Sequence, residues 1–270
     1  MIKALMPVNT DLESSIALRY VNMLSKWISL MLHDIHVVES ERVGPAPGTG
    51  WVRRTWENAL IENATQEILS FIAMENVNVK RLGDSEIRIG NRTDLILESL
   101  LRLKYQLFIE GALPTFNLSN FHTRVHSRLY RSMPCPALIV KNLVDPGKMA
   151  ILIKDGAYAN LISTFLNIFA SSGVSVDLIN YSLTQSGELI VKETNSSEKW
   201  LNDAENMIAD QGLKLQNRIT LEGPASEIAE YSKEYGLVAA SLSRNPRKHD
   251  PELEVLAHVP TPVLICWSKS

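Results

Sequence analysis

Short apolar runs alternate along this chain with stretches whose apolar residues recur every three or four positions, and midway the alternation starts again. Residues 2–8 form the first run, and Asn9, Thr10 and Asp11 follow it as turn and cap residues. Ile16, Leu18, Tyr20, Val21, Leu24, Trp27 and Ile28 then recur at helical spacing over residues 14–30, which predicts strand, tight turn and helix. A second strand is expected at 31–38, a Pro/Gly-rich loop at 39–50, and a helix at 51–74 with Trp56, Leu60, Ile61, Ile68 and Ile72 inward. A third strand falls within 79–89, and a helix at 94–104 turns Leu95, Ile96, Leu100 and Leu101 to one side. Strand four is placed at 106–109, halting at Gly111; a helix at 123–132 and strand five at 137–140 complete the set.

The programme repeats after a run of turn formers, residues 142–148. Strand one recurs at 149–154, a turn at Asp155 and Gly156, a helix at 157–171 and strand two at 174–181. A helix at 200–211, a strand at 215–221, a helix up to Tyr235, a strand at 237–240 and a last one at 263–267 follow. Strands alternating with helices at this spacing call for right-handed crossovers and a parallel sheet covered on both faces. The matching landmarks are Ala4 with Ala150, Gly90 with Gly223, Gly111 with Ser241 and Pro136 with Pro262. Duplicated units are expected at 1–142 and 148–270, each long enough for its own core.

Composition narrows the partners more than the fold. With 45% hydrophobic and 21% charged residues the chain is that of a folded protein, and a net charge of -3 gives no basic surface for nucleic acid. The densest basic run, residues 244–248, reads as a solvated loop. The N-terminus lacks the pattern of a secretory signal and no apolar run is long enough to span a bilayer, so no membrane partner and a cytoplasmic setting are expected. Cys135 and Cys266 each sit beside a strand-like run and are expected as buried, reduced thiols.

The order and spacing of several short motifs resemble the universal stress protein family over nearly the whole chain. They are PVN at residues 7–9, HVV at 36–38, Gly90, QLFIEG at 106–111 and PCPALIV at 134–140 in the first half. The second half carries IKDG at 153–156, Gly223, LVAAS at 237–241 and TPVLI at 261–265. The resemblance implies an α/β fold of two doubly wound parallel sheets, five strands each in the order 3-2-1-4-5, similar to the adenine nucleotide alpha-hydrolases. It also implies that the two strand-five edges pair within the chain as an intramolecular pseudo-dimer, which leaves further dimerisation open.

Ligands of such sheets lie outside the carboxyl ends of the strands, where the strand order reverses. Val8, Asn9, Val37 and Gly111 would meet there in the first half, and Asp155, Gly156 and Ser241 in the second. ATP-binding members of the family resemble one another in a loop G-x-x-G, nine residues, G-[ST], whose glycines let backbone N–H groups reach phosphates. Here Gly111 fits the first glycine, but Pro114 stands at the second and Thr123 and Arg124 near the last pair. In the second half Ser241 and Arg244 take the first two positions and the loop to His249 is too short. Phosphate would have to be held by the side chains of Arg124 or Arg244.

The expectation is therefore a stress-response binding protein with degenerate phosphate loops, taking a small-molecule or protein partner. The alternative is an adenine-nucleotide protein, binding ATP or AMP with slow hydrolysis, that keeps one crevice around Asn9 or Asp155. Asn9 and Asp155 also suit plain helix caps.

Other chemistry is sparse. His122 and His126 are four apart, a spacing that suits zinc, but no acidic residue accompanies them and a surface pair is expected. His36 is expected as a packed, hydrogen-bonded histidine. No dinucleotide fingerprint, Walker loop or nucleophile elbow is present, and nothing argues for an enzyme. The WVRRTW segment, residues 51–56, is expected to pack on the sheet, with a protein interface as its other reading.

Overall fold

The computed structural model describes residues 1–39, 48–113, 117–154, 158–170, 172–184, 187–193, 199–247 and 250–268. Asp155 and Gly156, with Pro114, Lys248 and His249, lie outside them. The first half runs β1 (Ile2–Pro7), α1 (Leu12–Leu24), β2 (Leu30–Val38), α2 (Trp51–Met74), β3 (Glu86–Ile89), α3 (Arg92–Leu103), β4 (Leu107–Gly111), α4 (Leu118–His126), α5 (Arg128–Ser132) and β5 (Ala137–Val140). The second runs β6 (Lys148–Lys154), α6 (Ala159–Phe169), β7 (Ser175–Leu183), β8 (Ile190–Glu193), α7 (Lys199–Asp210), β9 (Lys214–Gly223), α8 (Ala225–Tyr231), β10 (Leu237–Leu242), α9 (Pro251–His258) and β11 (Val263–Trp267).

Capping chemistry sets several of these bounds. Asp11, Asn91, Asn117 and Asp250 each accept a backbone N–H of the helix they open, which answers one of its four orphan donors. Thus α4 starts at Leu118, ahead of the expected 123, because Asn117 caps it, and Ser127 ends it and caps α5. Helix α1 stops at Leu24, short of residue 30, and a turn carries Trp27 and Ile28 before β2. Strand β8 and helix α9 were not expected at all.

The two five-stranded sheets of the expectation are one sheet of eleven strands, in the order β3-β2-β1-β4-β5-β11-β10-β6-β7-β9-β8. Each half contributes the order 3-2-1-4-5, and β8 adds an antiparallel strand outside β9. The halves fuse because β5 and β11 pair antiparallel, with Leu138 opposite Leu264, so each strand-five edge is closed by the other. All other pairs except β8·β9 are parallel.

Register corrects one landmark. Leu107 pairs with Ala4, and its counterpart Leu237 pairs with Met149, so Ala4 corresponds to Met149, one residue before Ala150. The residue that matches Asn9 is therefore Lys154, and Asp155 lies one position further. The same alignment superposes His33 on Asp177 and Tyr105 on Tyr235. Tyr105 hydroxyl bonds His33 Nδ1 in the first half, and Tyr235 hydroxyl donates to Asp177 at 2.9 Å in the second. One buried tyrosine contact thus recurs in both halves with different partners.

The core has two layers. On one face α1, α2, α6 and α7 cover Met6, Ile109, Ile151 and Cys266, and on the other α3, α4, α8 and α9 cover Phe108, Ile139, Val238 and Ile265. Both cysteines are buried free thiols. Helix α2 buries only Ala64, Ile68 and Phe71; Ile61 is exposed, and Trp51 is 78% exposed and does not pack on the sheet. In α3 the buried side is Ile96, Leu97, Ser99 and Leu100, and Leu101 faces out.

Three contacts lock the seam beyond β5·β11. The Lys141 ammonium, 6% exposed as a residue, donates to the carbonyls of Leu256 (2.8 Å), Ala257 (3.2 Å) and Val259 (2.9 Å), the C-terminal end of α9. Arg244 of the second half donates to the carbonyls of Arg131 (3.2 Å) and Met133 (2.8 Å) at the end of α5, and Trp267 Nε1 donates to Cys135 carbonyl (2.8 Å). Each half thus satisfies helix-end carbonyls of the other. The connection between halves is also packed: a Cβ on Gly236 would lie 1.8 Å from Asp145 carbonyl oxygen, and Tyr20 hydroxyl reaches Gly236 carbonyl at 2.7 Å. We expect Gly236→Ala to cost about 2 to 3 kcal/mol, because backbone must move to admit a methyl group. Chemical denaturation of wild type and variant in parallel measures it.

Candidate functional site

The reversal of strand order in the first half lies between β1 and β4. Val8, the residue after β1, is fully buried, and its carbonyl oxygen lies 2.8 Å from His36 Nδ1. His36 is only half-buried, whereas His33, which the sequence did not single out, is the buried histidine among the described residues. Asn9 is exposed and its backbone N–H donates to Ser14 Oγ at 2.9 Å, while Asp11 caps α1. Val37 is half-buried on the adjoining strand.

Across the crevice Gly111 touches α1. A Cβ there would lie 1.9 Å from the carbonyl oxygen of Glu13, so the glycine is needed for the first turn of α1 to pack on the end of β4. Its own carbonyl accepts from Arg124 Nη1 at 2.7 Å. Arg124, with 17% of its side chain exposed, also lies 3.5 Å from Glu110 and 3.7 Å from Glu13. Glu110 is bound further by Arg92 at 2.7 Å and by Tyr130 hydroxyl at 2.7 Å. Burial pushes the Glu110 carboxyl up, but Arg124, Arg92 and the Tyr130 hydroxyl outweigh it and hold the group below its ordinary range. In Glu13 the balance is opposite, burial raising its carboxyl despite Arg124.

These side chains line a cleft of about 420 Å³, bounded by Glu13, Arg92, Glu110, Asn120, Arg124 and Tyr130. Two carboxylates face two guanidinium groups, so the walls balance in charge. Of the expected residues the structure joins Gly111 with Arg124 by a hydrogen bond and sets Thr123 beside Arg124 in this cleft, which Val8, Asn9 and Val37 do not line. Glu13, Arg92, Glu110 and Tyr130 are the residues that sequence reasoning missed.

In the second half Asp155 and Gly156 fall outside the described residues. Lys154, the register counterpart of Asn9, lies 3.3 Å from Glu252 in the first turn of α9. Ser241 is half-buried within β10, paired with Cys266 of β11. Arg244 stacks over the Trp267 ring at 5.2 Å and binds the α5 carbonyls, so it belongs to the seam and not to a solvated loop.

His122 and His126 stack with ring centroids 3.9 Å apart, and the His126 ring nitrogens lie against the carbonyls of His122 and Pro246. Among the described residues no three His, Cys, Asp or Glu side chains are placed to share a metal ion. None of the described helices is long and apolar enough to cross a membrane.

A doubly wound α/β fold, used twice in one sheet and with its reversal points at the strand ends, defines the class. The sequence matches no family model and no curated protein. Solved structures do match: a universal stress protein from Archaeoglobus fulgidus DSM 4304 aligns at TM-score 0.64 and 12% identity over 99% of this chain and 97% of its own. A protein of unknown function from Pseudomonas aeruginosa PAO1 aligns at TM-score 0.54 and 15% identity over 98% and 92%. At such identities the likeness is one of fold, and it spans both halves: the chain has the fold of that archaeal universal stress protein from end to end.

Proposed function

We propose that the chain is a tandem universal stress protein of two units, 1–142 and 148–270, that works by binding and does not hold ATP through the family's usual phosphate loop. The observation that carries this reading is the commitment of both arginines. Arg124 is bound to Gly111 carbonyl and to Glu110 and Glu13, and Arg244 to two α5 carbonyls and the Trp267 ring. A guanidinium so engaged gives up charge-assisted partners before it can take a phosphate. Gly111, the one glycine in loop position, is spent on the Glu13 contact. The fold shared with the archaeal universal stress protein supports the family; the seam supports the description as a pseudo-dimer.

Calorimetric titration of the full chain with ATP and with AMP tests the claim. The expected result is no heat at micromolar nucleotide. Micromolar ATP binding, tighter than AMP by a phosphate-dependent increment, would sink the reading in favour of a nucleotide protein using one retained crevice.

A further inference from the structure

The eleven-stranded sheet ends in two edge strands of opposite character. On β3, Glu86 and Arg88 are tied down by Ser99, Arg102 and Glu98 of α3, and all four residues are half-buried. On β8, all four residues are exposed, Ile190 at 47% and Val191 at 49%, and among the described residues no strand lies beyond it. An exposed apolar edge with unpaired backbone groups is a template for another strand.

We propose that β8 pairs antiparallel with β8 of a second copy of this chain, in the register that sets Ile190 opposite Ile190 of that copy. A two-fold axis perpendicular to the sheet requires residues on the same face to meet, as they do at β5·β11, where Leu138 faces its counterpart Leu264. Centred on Ile190, and with the strand continued through Leu189 and Glu188 on pairing, that symmetry would set Val191 against Leu189 and Lys192 against Glu188, each twice. On one face an apolar pair is flanked by two opposite-charge pairs, and on the other face Val191 meets Leu189. Centring on Lys192 would instead bring two ammonium groups together. Lys192 has 58% of its side chain exposed and its contact with Glu222 is 3.4 Å, a surface pair of little strength that leaves it able to turn outward. A seam this short falls below the roughly 1,000 Å² of a stable interface, so association is weak and shows as concentration dependence.

Sedimentation velocity of the full chain, from low to high micromolar, is the test. The wild type is expected to shift reversibly from monomer to dimer, and Ile190→Asp to stay monomeric. Lys192→Glu and Glu188→Lys each place like charges opposite each other and are expected to weaken the dimer about tenfold. Mixing these two variants restores both ion pairs and is expected to give a heterodimer. A wild type that stays monomeric throughout, a dimer unaffected by Ile190→Asp, or no recovery on mixing would each overturn the proposal; all the substitutions are at exposed positions, and circular dichroism verifies that they fold.

Discussion

Lys141→Ala is expected to lower the unfolding free energy by about 3 to 4 kcal/mol. The Lys141 amino group is buried, with its Nζ within 2.8 to 3.2 Å of three carbonyl oxygens at the end of α9. Truncation leaves those carbonyls without donors in a buried place, at about 1 to 3 kcal/mol, and opens a cavity where the aliphatic stem lay. Lys141→Met keeps the stem and isolates the carbonyl loss, so about half the effect is expected. Burial, aided by the charge of Arg124, pushes the Lys141 amine down to about 7. The unfolded chain keeps its lysine proton to about pH 10.4. Between these values the unfolded state binds more protons, so stability rises with pH from about 7 upward. The rise is interrupted near pH 9, because burial also pushes the Cys135 thiol up to about 12 and that group acts in the opposite sense as the unfolded thiol ionises. Urea unfolding at pH 6.5, 7.5 and 8.5 measures the slope; in Lys141→Met it should flatten, and an unchanged slope would refute the assignment.

Gly111→Ala is expected to cost about 3 kcal/mol and to lower the melting temperature by roughly 6 to 10 °C. The added methyl group would overlap the Glu13 carbonyl, and relief requires α1 to lift from the end of β4. The same residue fits the opening glycine of a phosphate loop, so this substitution separates two roles. A structural glycine predicts lost stability with nucleotide titrations as flat as in the wild type. Were the glycine there for a phosphate, stability would hold and a nucleotide-dependent rise in melting temperature would disappear. Differential scanning fluorimetry with and without ATP distinguishes the two.

Much of the fold was legible because punctuation and buried runs coincide. Pro134-Cys135-Pro136 and Pro260-Thr261-Pro262 announce β5 and β11, which fall at residues 137–140 and 263–267 as expected, and α2 spans residues 51–74 as expected. The one-residue slip at β6 has a plain cause. Residues 149–153 are buried on both faces, so the run carries no alternation to mark its register, which is fixed by pairing with β10 and β7. Strand β8 was missed because it is brief and exposed throughout. Helix α9 had a readable signal, Asp250-Pro251 followed by Glu252 and Glu254, that went unread. At the cleft, the family's loop pattern singled out Gly111 and Arg124, which the fold joins by a hydrogen bond. Their partners were not legible, since Glu13 reaches Arg124 from α1 and Arg92 reaches Glu110 from α3, contacts that only the assembled sheet creates. The double use of Arg244 was hidden for the same reason.

The antiparallel union of β5 and β11 reverses the direction of every parallel strand from one half to the other. The carboxyl ends of β1 and β4 therefore open at one rim of the sheet and those of β6 and β10 at the opposite rim. One continuous ladder from β3 to β8 lies between them. A ligand held at one reversal point would thus lie at the rim of the sheet opposite to one held at the other.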